Sequence, residues 1–145
     1  MSQERHNKNT DNHKKDMNQK EIEEYNQYIR DLIHSPKNWG KLSEDEMTIS
    51  NSYKGPCGDT MQFFLKINNN VIEKANFITD GCGASIATAS QATLLIEGKP
   101  LNYIKKLKPE DIDNALKRLP EDHKHCTELA VRTLNQLIKK YKNEH

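Results

Sequence analysis

The segment that most restricts this chain is TMQFFLKINNNVIEKANFIT, residues 60–79. Met61, Phe63, Leu65 and Ile67 alternate with Gln62, Phe64 and Lys66, the period of two expected of a strand with one face on a core. Asn68-Asn69-Asn70 follows. Asparagine tolerates the positive φ of a tight turn, so VIEKANFIT returns as the second arm of a hairpin. A further strand at roughly 47–53 precedes it, and strands at about 47–53, 60–67 and 71–79 make an antiparallel meander.

The rest of the chain has helical periodicity. Residues 20–34 carry Ile22, Tyr25, Ile29, Leu32 and Ile33 at helical spacing, and Ser35-Pro36 stops them because a residue before proline leaves the helical region. ASIATASQATLLIE, from Ala84, offers Ile86, Ala89, Ser90, Thr93, Leu94 and Glu97 on one side, with Gly98 and Pro100 closing it. KPEDIDNALKRL starts with Pro109 and acids in its first turn, both favourable at a helix start. The last helix has the clearest stripe: Cys126, Leu129, Ala130, Thr133, Leu134, Leu137, Ile138 and Tyr141. Helices segregated from a small antiparallel sheet predict an α+β fold, with Trp39 as a loop anchor on its core.

Composition sets the limits of that unit. Residues 1–19 hold Met1 and Met17 as their only apolar side chains, too few to offset the entropy of ordering, so they read as a disordered polar tail before one domain at 20–145. Lys plus Arg number 22 against 21 Asp plus Glu, a net charge of +1, which leaves no electrostatic footprint for nucleic acid or an anionic membrane. No apolar run approaches the roughly 18 residues of a membrane helix, and no secretory stretch opens the chain. Three cysteines, an odd number, then fit a reducing, cytoplasmic setting in which the thiols stay free.

Those cysteines lie 25 and 44 residues apart, without a paired CxxC, so local spacing alone does not make a zinc site. Each stands at the end of an element. Cys57 sits in GPCGD, a turn-rich loop before the second strand. Cys82 sits in DGCGA, where the start of the following helix lowers a thiol pKa; a fall from about 8.5 to about 7 raises the ionised share at neutral pH from ~3% to half. Cys126 ends HKHC in the first turn of the last helix, with His125 beside it. Adjacent residues diverge by about 100° along a helix, so His125 and Cys126 reach one ion only from a first turn.

The three motifs GPCGDTMQFFLKI, TDGCGASIATAS and HCTELAVRTL, in that order, resemble those of the iron–sulfur cluster assembly scaffold family, the IscU and NifU N-terminal type. The resemblance spans roughly residues 20–141 and implies a three-stranded antiparallel sheet with helices packed on it. It implies that Cys57, Cys82 and Cys126 hold a transient cluster, expected to be 2Fe-2S, with Asp59 or His125 as a further metal ligand. It also implies that Cys126 accepts sulfur as a persulfide. The partners implied are a cysteine desulfurase, an iron donor and apo acceptor proteins, with a homodimer left open. The role is that of a scaffold and not an enzyme.

Two positions depart from the family. Where some members carry an LPPVK motif read by a dedicated Hsp70-type chaperone, this chain has Leu119-Pro120-Glu121-Asp122-His123, which argues against that dependence. His123 stands in place of the family's lysine and adds a second imidazole with no assigned role; the alternative for it is a solvated side chain. A competing reading is a zinc-binding persulfide acceptor in sulfur transfer from a desulfurase. That branch carries an insertion before the last cysteine and an arginine for the histidine, whereas here the interval is short and His125 is present. Zinc suits the same ligands and is compatible with the protein as isolated. A Cys–His nucleophile is disfavoured, since no oxyanion or substrate motif accompanies the cysteines.

Overall fold

The structure, a computed structural model, describes residues 24–144. The polar tail at 1–19 and Ile22 of the first apolar stripe lie outside the described residues.

Three strands, β1 (Ile49–Lys54), β2 (Thr60–Asn68) and β3 (Val71–Thr79), form one antiparallel sheet in the order β1-β2-β3. Asn69 and Asn70 make the hairpin turn with φ of 54° and 61°, the left-handed conformation for which asparagine is suited. Asn51, Phe63 and Phe77 stand opposite one another across the three strands, and both phenylalanines are buried. Phe64 departs from simple alternation. It lies on the other face beside Lys66 and Gln62, yet it too is buried.

Helix α1 (Gln27–His34) begins later than its apolar stripe suggests. Asn26 caps it, accepting from the Ile29 N–H at 2.8 Å, and its amide donates to the carbonyls of Leu116 and Lys117 at 3.0 and 3.1 Å. A residue held in two directions at once is a cap and not a helical residue. Tyr25 therefore lies outside α1, although it is buried with Ile29, Leu32 and Ile33.

Helix α2 (Gly83–Ile96) corrects the one-sided reading. Every residue from Gly83 to Thr93 is buried, while Leu94, expected on the core face, is exposed and Glu97 is the C-cap. A helix with a core on all sides shows no stripe. It packs on β3 and α1 and touches the long last helix, α5 (His125–Glu144), which lies across β1 and β2. Between them come α3 (Asn102–Lys106), which carried no clear sequence signal, and α4 (Pro109–Ala115). Lys117 and Arg118, both at positive φ, end the α4 segment earlier than its composition suggests. The stripe of α5 is as expected, buried from Cys126 to Ile138 with Tyr141 half-buried. Trp39 anchors its loop by meeting Phe77 edge to face at 5.2 Å.

Candidate metal centre

Three chain segments meet at one end of the sheet. The first is the turn between β1 and β2. The Gly55 N–H donates to the Asp59 carbonyl at 2.9 Å and the Gly58 N–H to the Gly55 carbonyl at 3.0 Å, closing a tight loop that leaves Cys57 exposed. Gly58 has φ +96°, a conformation few side chains adopt. A Cβ on Gly55 would come within 2.9 Å of Leu129 Cδ1 and would have to push that side chain aside for the turn to stay against α5.

The second segment links β3 to α2, with Cys82 as the residue preceding the helix. Asp80 ties it to the first turn by accepting from the Thr60 N–H at 2.8 Å. The third is the start of α5. His125 is its first residue, the position from which it and Cys126 can face the same point; its Nε2 is 3.8 Å from Cys126 Sγ.

These approaches bring all five residues read from the sequence to one patch. A sulfur, a carboxylate oxygen and a ring nitrogen from Cys57, Asp59 and His125 lie within 4.8 Å of one another. Cys126 is fully buried, and half-buried Cys82 is close enough for each sulfur to act on the other. Ser85 joins the two groups: its hydroxyl donates to Asp59 Oδ2 at 2.9 Å and lies 3.5 Å from Cys126 Sγ. Neither Ser85 nor Gly81, which leaves room for it, was singled out from sequence. The available signal was position, since Ser85 follows Cys82 by three residues and so faces the same end of α2.

The two inner sulfurs are shifted in opposite directions. Cys82 is held down at about 5, chiefly by the hydrogen bond from the Cys126 thiol, then by the N–H groups of Ser85 and Ala84 and the charge of His123. The helix start therefore contributes, as expected, but the neighbouring thiol is the larger cause. Cys126 is pushed upward by the Cys82 thiolate, by burial and by the negative charge of Asp59. Metal-free protein is therefore expected to retain the 240 nm absorbance of one thiolate at neutral pH and to lose it as pH falls through about 5. Cys82→Ser should remove that absorbance. Its appearance only above pH ~8, the range of an ordinary thiol, would contradict the arrangement.

An open groove of about 430 Å³ adjoins the patch, with Tyr53, Cys57, His125, Leu129 and Arg132 among its walls. His123 does not group with Cys57, Asp59 and His125. It is half-buried in a 3-10 turn (Glu121–His123), its ring 5.7 Å from that of Tyr25, and is not the freely solvated side chain considered above.

Comparison with known proteins identifies the family. Residues 24–145 match the family described as NifU-like N terminal domain. The iron-sulfur cluster assembly scaffold protein IscU of Aquifex aeolicus is 41% identical over 120 residues, 81% of this chain and 76% of that protein. The protein of the same name from Escherichia coli K12 is 32% identical over 123 residues, 83% of this chain and 95% of its own length. The crystal structure of a NifU-like protein N-terminal region from Brucella abortus superimposes with a TM-score of 0.65 at 16% identity, covering 84% of this chain and 96% of that one, and so shares the fold. With cysteine motifs, sheet and matches in agreement, this chain belongs to the NifU-like N-terminal domain family.

Proposed function

We propose that this protein is a scaffold on which an iron–sulfur cluster is assembled and from which it passes to apo acceptor proteins. The observation that carries the reading is the convergence of three thiols with Asp59 and His125 at one partly open patch. Relatives named as IscU scaffolds, at 32–41% identity, support the same role. Thiolates are the donors iron–sulfur clusters take, so Cys57, Cys82 and Cys126 are the ligands, and the cluster is cargo. Three sulfurs with an oxygen or imidazole in the fourth place bind less firmly than four thiolates, which suits release. Asp59 is the labilising member. It is a harder donor, and Ser85 competes with metal for its oxygen.

Sulfur comes from a cysteine desulfurase and iron from a separate donor. Cys126 accepts the sulfur as a persulfide; because its sulfur is fully buried, the glycine-rich turns must swing aside for delivery. Free thiols suit the cytoplasm. Among the described residues, no helix is long and apolar enough to cross a membrane.

Anaerobic incubation with ferrous iron and sulfide should produce the visible absorption of a 2Fe-2S cluster. Asp59→Ala should then lengthen the cluster's lifetime and slow its transfer to an apo acceptor several-fold. Transfer at an unchanged or faster rate would count against the labilising role. A second reading, zinc-bound sulfur transfer, draws on the close Cys57–Asp59–His125 set, whose donors zinc also takes. Zinc in the isolated protein together with no cluster on reconstitution would favour it.

A further inference from the structure

The scaffold reading leaves His123 without a task, together with the acidic residue before it. Glu24, Asp122 and His123 bring two carboxylate oxygens and a ring nitrogen within 4.8 Å of one another, from chain positions almost 100 residues apart. Tyr25, a side chain only 2% exposed, adjoins this cluster. Glu24 precedes it in the chain, and the His123 ring packs on its ring at 5.7 Å. Among the described residues neither carboxylate has a basic partner within ion-pair distance, and the nearest lysine in sequence, Lys124, is bonded to Asp113 at 2.9 Å.

We propose that Glu24, Asp122 and His123 form a second divalent-cation site, free of sulfur, that takes a first-row ion such as ferrous iron. One imidazole and two carboxylates suit ferrous and manganous ions, whereas thiolates select softer ones. Positions left to water let the ion exchange quickly. His123 stands three residues before Cys126, in the turn that leads into α5, which sets the site beside the centre. Its role as the place where iron waits beside the thiolates rests on the scaffold reading; the binding itself does not.

The test titrates full-length apo protein with manganous ion and reads the free ion by electron paramagnetic resonance. Manganese is chosen because it discriminates against thiolate sites. Wild type should bind one ion at this cluster, with affinity falling by about tenfold or more in His123→Ala and in Asp122→Asn, and unchanged in His125→Ala. All these side chains are exposed or half-buried, and matching melting curves would show that the variants fold. Equal affinity in wild type, His123→Ala and Asp122→Asn would overturn the site, as would loss of binding in His125→Ala instead. With ferrous iron limiting, Glu24→Gln should slow cluster growth several-fold while excess iron restores the yield; an unchanged rate would overturn the loading role. Manganese binding by a protein that builds no cluster would sink the scaffold reading and leave this site standing.

Discussion

Serine in place of Cys57, Cys82 or Cys126 is expected to reduce the reconstituted cluster by more than about tenfold in each case, because an un-ionised hydroxyl is a poor donor to iron–sulfur units. The three variants should differ in what else they lose. Cys57 is exposed, so Cys57→Ser should melt as wild type does. Cys126 is fully buried with its sulfur 3.5 Å from Ser85 Oγ, so Cys126→Ser should also cost about 1 kcal/mol of stability. Visible absorption after anaerobic reconstitution, read beside a thermal melt, separates the two effects. Retention of the cluster by all three variants would remove the ligand assignment.

Gly81→Ala should be as damaging to the cluster although it removes no ligand. The added Cβ would meet Ser85 Oγ at 2.5 Å, Ser85 Cβ at 2.6 Å and Asp59 Oδ2 at 2.8 Å. A Cβ cannot turn away, since it is fixed to the α2 backbone, and Ser85 is itself buried. Either the loop carrying Cys82 lifts off or Ser85 is displaced from Asp59 and Cys126, and both outcomes separate the sulfurs. Overpacking of this kind costs about 1–3 kcal/mol. A melting-temperature drop of roughly 5 °C or more is expected, together with the loss of most of the cluster. A Gly81→Ala protein that loads cluster normally would show that the Gly81–Ser85–Asp59 contact does not organise the centre.

The hairpin and the last helix could be read directly because their apolar residues repeat with the period of the backbone that carries them. Helix α2 could not be read as fully, because burial on every side leaves no contrast along the sequence. Nor could the true start of α1, where Asn26 is committed to carbonyls at the far end of α4. In the centre, Cys57 and Cys82 stood out through their glycine-flanked loops and Cys126 through its place at a helix start, while Asp59 and His125 came from the family resemblance. Ser85 and Gly81 did not stand out, since a small residue near a helix start is common and becomes meaningful only by what faces it across space.

The sequence by itself determined the strands and the α+β class, which follow from local spacing, and the three cysteines at element ends, while the wider ligand set is what the family resemblance implies. Only the tertiary structure decided that Cys126 is buried with its sulfur 3.5 Å from Ser85, that Ser85 bridges to Asp59, and that Glu24 stands beside Asp122 and His123. Such contacts depend on distances of a few ångströms between segments far apart in the chain, and only the packing of the whole domain sets those distances.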